Sequence, residues 1–263
     1  MHKWVLRFLG LSYLGVLLAA PVGLVFWRTF EHGFGPAWDA VTTPDAKHAL
    51  TLTVLIAAIV VPANTVFGVI CALAIVRRRF PGKGLVNALV DLPLALSPVV
   101  VGLAFLLLYS RNGWFGNWLT DHGIQVVFAL PGMILVTIFV SLPFVVREVV
   151  PVLREIGIEQ EQAAATLGAS PFQTFRRVTL PAIRWAIGYG VVLTMARSLG
   201  EFGAVSVVSG HIVGKTETMT LQVQDRFQAF DYVGAYAGSV VLALLAIGTL
   251  LVMSLFKPKE ATR

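Results

Sequence analysis

The chain has 263 residues, of which 57% are hydrophobic and 13% charged, with a mean hydropathy of +0.80 and a formal net charge of +6. A soluble domain averages about 45–50% apolar and about 25% charged residues, so this composition describes a polytopic membrane protein. It excludes a soluble enzyme and a nucleic-acid-binding domain, and the basic excess belongs to loops on the cytoplasmic side of a bilayer.

A membrane-spanning helix needs about 20 mainly apolar residues, and six runs qualify: 8–30, 49–76, 85–109, 126–150, 185–209 and 233–256. The first ends in the interfacial pair Trp27-Arg28 and is read as a retained helix, because no small-residue cleavage site follows it. A polar loop covers 31–48. The second run is expected to be interrupted at Pro62 and Asn64. A basic turn at 77–83 leads into the third run, which contains Asp91, Pro93 and Pro98. Residues 110–125 form a loop rich in Gly, Asn and Trp, and 210–232 a polar loop of some amphipathic character. Cys71, the single cysteine, lies inside an apolar run, so neither a disulfide nor a thiolate metal site is expected.

Lys and Arg set the orientation. With the N-terminus inside, Lys3, Arg7, Arg77, Arg78, Arg79, Lys83, Arg147, Arg154, Arg176, Arg177, Arg184, Lys257, Lys259 and Arg263 are cytoplasmic. Only Arg28, Lys47, Arg111, Lys215 and Arg226 fall outside. Both termini and the stretch 159–181 are therefore expected in the cytoplasm.

That stretch, EQEQAAATLGASPFQTFRRVTLP, is soluble in character between two apolar runs. Its alanine run predicts a helix over 159–167, and Gly168 sits where a left-handed residue commonly ends one. Ser170 is a good N-cap, Pro171 suits the first helical position, and Gln173 completes a capping box. The second helix carries Phe172, Phe175, Arg176 and Val178, and Pro181 is expected to end it. Two short helices joined by a tight corner fit a partner's groove.

Two stretches inside the membrane carry polar chemistry. Asp91, Pro93, Ser97 and Pro98 break the third run, since each proline removes a backbone donor and clashes with the carbonyl four residues back. Arg197 and Glu201 are four apart on one helix face and so can meet, with Ser198 between them and Gly200 and Gly203 allowing close backbone approach. Charges at such depth face a cavity or a protein interior. For both stretches a place on a transport pathway and a purely structural role stay open. Residues 210–216, GHIVGKT, place three residues between the glycines where a phosphate-binding loop needs four, so no nucleotide site is read there. In the sixth run Gly234 and Gly238 form a GxxxG suited to close helix packing.

The spacing Ala163-Ala164, three residues, Gly168, nine residues, Val178-x-Leu180-Pro181 resembles the EAA loop of ABC importer permeases. The resemblance implies that 159–181 is a coupling helix docking on an ATP-hydrolysing subunit through Glu161, Gln162, Ala163, Ala164, Gly168, Phe172, Leu180 and Pro181. The family's glutamate falls on Gln162, so that contact becomes a neutral hydrogen bond or shifts to Glu161. Val90-Asp91-Leu92-Pro93 with Ser97-Pro98-Val99-Val100, Pro143 to Glu148, and Ala196 to Ile212 are similar to the sulfate/thiosulfate importer permeases. They resemble the W-type subunit more than its T-type partner or the molybdate permease.

What this implies is an all-α integral membrane protein with six transmembrane helices and the type I ABC importer permease fold, one domain over 1–263 with its core at 49–256. It implies a bacterial inner-membrane assembly with a T-type permease as heterodimer, two ATPase subunits and an extracytoplasmic sulfate-binding protein, surrounded by lipid and without nucleic acid. ATP and Mg belong to the ATPase partner; this chain holds no cofactor, is no enzyme, and supplies half the pathway, with Asp91, Pro93, Ser97, Pro98, Arg197, Ser198 and Glu201 as candidates. Molybdate, tungstate and phosphate remain alternative substrates. A secondary anion transporter would need its own ion-coupling site, and a membrane enzyme clustered catalytic residues.

Overall fold

The structure is a computed structural model that describes residues 2–255. The tail residues Lys257, Lys259 and Arg263, and the last residue of the expected sixth run, lie outside the described residues. Among the described residues every regular element is helical. Five helices are long and apolar enough to cross a membrane, and a bent pair makes up to a sixth.

Helix α1 (His2–Leu14) passes through a π turn (Gly15–Ala19) into α2 (Ala20–Phe30). The expected polar loop at 31–48 is instead mostly helical. Gly33, at φ +93°, ends the turn after α2, and α3 (Phe34–Thr42) begins. Phe30, Phe34 and Trp38 stack in sequence at 6.0 and 5.8 Å, a row of aromatics four residues apart that the polar neighbours hide in the sequence.

Helix α4 (Pro44–Arg77) starts on Thr43, whose Oγ1 accepts the N–H of Ala46 at 3.2 Å, and runs without a break. The expected interruption at Pro62 and Asn64 is absent, for two reasons. Pro62 lies on an exposed face, so the clash of its ring with the carbonyl four residues back is relieved locally, with no packed neighbour to hold that turn rigid. Asn64 is fully buried, and its amide donates to Ser141 Oγ at 2.8 Å and to the Ile138 carbonyl at 3.1 Å across the helix interface. A polar group satisfied by a neighbouring helix does not compete with its own.

The third run breaks into two helices. α5 (Lys83–Ala95) and α6 (Pro98–Tyr109) diverge by 112°. Pro98 cannot continue α5, and the residue before a proline is pushed to extended backbone; Ser97 sits at φ −62°, ψ 135°. After the short α7 (Gly116–Asp121), α8 (Leu130–Glu155) carries Pro143 and Pro151 in its interior and extends beyond the expected end at 150.

Next come α9 (Glu159–Thr166), α10 (Pro171–Thr174), a π turn (Phe175–Thr179) and α11 (Leu180–Leu199). Pro181 does not end a helix: one continuous helix runs Pro171–Leu199. The wider π turn just before Pro181 lets the Leu180 N–H reach the Phe175 carbonyl, five residues back. Such local adjustment is how membrane helices absorb proline. The expected fifth run stops at Leu199 and restarts as α12 (Gly203–Val208). The polar loop expected at 210–232 contains α13 (Met219–Gln228), with Met219, Leu221 and Gln222 buried and the Met219 N–H on Thr53 Oγ1 at 2.9 Å. α14 (Tyr232–Leu255) closes the bundle. Its Gly238 packs against Val223 and Met219, so the glycine pair serves α13 rather than another long span.

Helices α4, α8 and α11 pack on one another at the centre. Gly68 of α4 and Gly190 of α11 both press on Val145 of α8. In lipid such contacts stabilise through close van der Waals packing, because leaving water is no longer a driving force. The core has two storeys. At the 159–181 end, Val69, Ile75, Val90, Val146, Leu153 and Ile183 interdigitate. At the far end, Leu52, Ile56, Val101, Met133, Ala204 and Leu221 do so. Since α5 contributes to the first storey and α6 to the second, the pair is a broken span.

Candidate functional site

The corner at 168 is built from backbone first. Gly168 has φ +84°, its N–H donates to the Ala165 carbonyl at 3.0 Å, and the N–H of Ala169 donates to the Ala164 carbonyl at 3.0 Å. These paired bonds form a Schellman stop. Ser170 then opens α10 with a complete capping box: its Oγ accepts the Gln173 N–H at 3.3 Å, and its own N–H donates to Gln173 Oε1 at 2.9 Å. The hairpin shape read from the sequence is therefore present, apart from its expected end at Pro181.

Gln162, Ala163, Gly168, Phe172 and Pro181 are exposed on this hairpin, while Ala164 and Leu180 are half-buried. Phe172 is 70% exposed, and Leu167, which the sequence reading passed over, is 89% exposed. Two large apolar side chains flanking one corner form a surface suited to a partner's pocket. A leucine directly before the left-handed glycine, among polar neighbours, was the available signal. Glu161 points the other way. Its carboxylate meets Arg77 Nε at 3.1 Å and accepts the Thr179 hydroxyl at 2.9 Å.

The second region lies where α11 breaks. Arg197 Nη1 reaches Glu201 Oε2 at 2.7 Å, with the two side chains 30% and 2% exposed. Glu201 Oε1 accepts the Ala204 N–H at 2.8 Å and so caps α12, and the Glu201 carbonyl accepts the Thr220 hydroxyl of α13 at 2.9 Å. One buried residue thus ties α11, α12 and α13 together. Ser198 and Thr194 are buried with hydroxyls that have no hydrogen-bond partner among the described residues. The Arg197 guanidinium pairs with Glu201 by charge and carries further donors, and its side chain is 30% exposed.

Gly203 approaches Pro98 so closely that a Cβ there would fall 2.9 Å from the proline Cβ, and one on Gly102 would fall 2.8 Å from the Ala204 carbonyl. The two helix breaks therefore meet, bringing Ser97 and Pro98 to the Arg197–Gly203 stretch. Gly200 makes no such approach; the nearest atom to its Cβ position belongs to its own helix. Pro93 is buried in α5. Asp91 has a different partner, Arg147 of α8, whose Nη2 and Nε lie 2.7 and 2.8 Å from Oδ1.

At the far end, the glycine-rich turn closes on the Ile212 carbonyl, which accepts the N–H groups of Lys215, Thr216 and Glu217. His211 Nδ1 lies 3.3 Å from Asp225. Burial pushes the Glu217 carboxyl above the usual carboxylate range, and the neighbouring Asp225 pushes it further, while a hydrogen bond from Gln222 opposes them.

The family described as binding-protein-dependent transport system inner membrane component matches residues 64–261. The sulfate transport system permease protein CysW of Synechocystis sp. is 49% identical over 257 residues, covering 98% of this chain and 93% of that protein. The protein of the same name from Escherichia coli K12 is 49% identical over 255 residues, with 97% and 88% covered. The sulfate transport system permease protein CysT of Salmonella typhimurium is 42% identical over 246 residues, with 91% and 89% covered. Among solved structures, a bacterial ABC transporter involved in the import of the acidic polysaccharide alginate superposes with a TM-score of 0.80 at 17% identity, over 98% of this chain and 97% of that one. That last likeness concerns the fold alone.

Proposed function

The chain belongs to the family of binding-protein-dependent transport system inner membrane components, and on that premise we propose that it is the permease subunit of an ATP-driven importer for sulfate or thiosulfate. The likeness to the CysW proteins, which extends over 98% of the chain, carries this reading. The chain makes and breaks no bond. Its partners are a second permease chain of the CysT kind, two ATP-hydrolysing subunits and an extracytoplasmic binding protein. A periplasmic protein accompanies the alginate transporter in a related structure.

In this assembly the corner at Gly168, with Leu167 and Phe172 exposed beside it, is the surface that meets an ATPase subunit. Both termini share its cytoplasmic side, in keeping with the distribution of Lys and Arg. ATP-driven closure of the ATPase pair moves the hairpin, and the bundle switches the side to which its pathway opens. Arg197 supplies positive charge to a passing divalent oxyanion. Glu201 neutralises part of that charge, which keeps the contact weak enough for release, as transport requires. Asp91 and Arg147, already paired, line the pathway nearer the hairpin.

The test is uptake of labelled sulfate by the complete reconstituted complex, with molybdate and phosphate as competitors. Sulfate uptake that neither competitor suppresses is the expected result. Preferential uptake of another oxyanion would overturn the assignment.

A further inference from the structure

We infer that Arg77 is a positioning residue: it fastens the hairpin to the three central helices so that movement of one becomes movement of the others. This rests on the reading of 159–181 as the contact with an ATPase subunit. Arg77 is the last residue of α4, and its guanidinium reaches three separate segments. Nη1 donates to the Leu153 carbonyl at 2.9 Å, Nη2 to the Gly157 carbonyl at 2.7 Å, and Nε meets the Glu161 carboxylate at 3.1 Å. Leu153 belongs to the last turn of α8, where carbonyls lack helical partners and the helix end is negative. Glu161 belongs to α9 and accepts the Thr179 hydroxyl from the π turn leading into α11. One guanidinium and one carboxylate therefore join α4, α8, α9 and the start of α11.

Little else does this for α9. It packs chiefly on α10 and the π turn, and a cavity of about 480 Å³ separates Leu73 and Ala74 of α4 from Ala165, Ala169 and Pro171 of the hairpin. The polar contact spans that gap. It is also sheltered, with side chains 14% and 23% exposed, so water competes less than it does at a surface ion pair. Only arginine suits the place, because three diverging acceptors need a planar fork, whereas lysine offers a single point of charge. Its neighbours Arg78 and Arg79 are exposed, so this role is specific to one of three adjacent arginines.

The experiment uses the complete reconstituted complex and reads three quantities: yield of assembled complex, ATP hydrolysis, and labelled sulfate imported per ATP hydrolysed. Arg77→Ala and Glu161→Ala should assemble and hydrolyse ATP, while import per ATP falls by about tenfold, within the range typical of coupling between distant sites. The double variant should be no worse than either single one, Arg77→Lys should not rescue, and Arg79→Ala should match wild type. If Arg77→Ala does not assemble, Glu161→Ala and Thr179→Val decide. An unchanged import-to-ATP ratio in the assembled variants overturns the proposal, and so does a loss confined to yield. Cross-linking from a cysteine at Phe172 to the ATPase subunit in the otherwise wild-type complex separates the two readings. No cross-link sinks the coupling surface itself; a cross-link with an unchanged ratio in Arg77→Ala sinks only the joint.

Discussion

Gly190 of α11 lies so close to Val145 of α8 that a Cβ on the glycine would fall 2.7 Å from the valine Cα. Gly68 of α4 meets the same valine, with its Cβ position 2.7 Å from the Val145 Cβ. Backbone cannot move aside as a flexible side chain can. Gly190→Ala should therefore push α11 off α8 and cost about 1–3 kcal/mol, read as a lower melting temperature and yield in detergent. Gly188→Ala, on the same helix with open space around it, should be near neutral. Equal behaviour of the two would refute the close contact.

Gly168 presents the opposite case. Nothing lies within 4 Å of its Cβ position, but its φ is +84°. Gly168→Leu should therefore cost only the strain of a left-handed residue, about 1–2 kcal/mol, and Gly168→Asn less. The leucine variant should insert and assemble, yet retain less ATPase subunit on purification and import less sulfate per complex. Wild-type import in that variant would remove the corner from the coupling surface. Gln162→Glu, on the exposed face of α9, should be tolerated.

Arg197 and Glu201 are tested by complex yield and by uptake per assembled complex, read together. Glu201→Ala strips the Ala204 N–H and Arg197 of their buried partner, a loss of about 3–5 kcal/mol, so assembled complex should become scarce. Arg197→Met leaves the capping bond of Glu201 to Ala204 in place but strips the buried carboxylate of its counter-charge, so yield should fall as well. In the complex that does assemble, sulfate uptake per complex should be reduced. Normal uptake per assembled complex in Arg197→Met would take Arg197 off the pathway.

Glu217 makes stability depend on pH. Its folded carboxyl is raised above the usual range, so the folded state favours the neutral form. The stability this contributes is whole below the unfolded pKa and is lost as pH rises through the folded one. The melting temperature of the purified protein should fall as pH rises above the ordinary carboxylate range, and Glu217→Gln should flatten that fall. Parallel curves for the two proteins would show that Glu217 is not the titrating group.

A reporter fused after Arg263 should behave as cytoplasmic and one inserted near Asn117 as external, following the bias of Lys and Arg. The reverse pattern at either site would invert the assignment of the hairpin.

What the sequence discloses about this fold is what neighbours in the chain decide. The Gly168 stop and the Ser170 cap close bonds within six residues, so their signals sit side by side. The break at Pro98 is legible for the same reason, but its 112° angle is not, because it depends on α6 finding the far storey of the core. Asn64 reads as a helix breaker until Ser141 and Ile138 are seen across the interface. Helix α13 reads as a loop until Thr53 is found receiving its first N–H. Arg77, Arg78 and Arg79 are indistinguishable as text, and only the positions of Leu153, Gly157 and Glu161 select the first.

The absence of a helix end at Pro181 has a mechanical consequence. From Pro171 to Leu199 the chain is one rod of 29 residues, about 43 Å long at 1.5 Å per residue. A rod of that length is a lever arm: a tilt of about 10° at one tip sweeps the other through about 7.5 Å. Arg197 rides near the far tip, where the sweep is largest. The π turn is the one place along this arm where the hydrogen bonds span five residues rather than four. The stiffness of Phe175–Thr179 therefore sets how much of the angular stroke arrives.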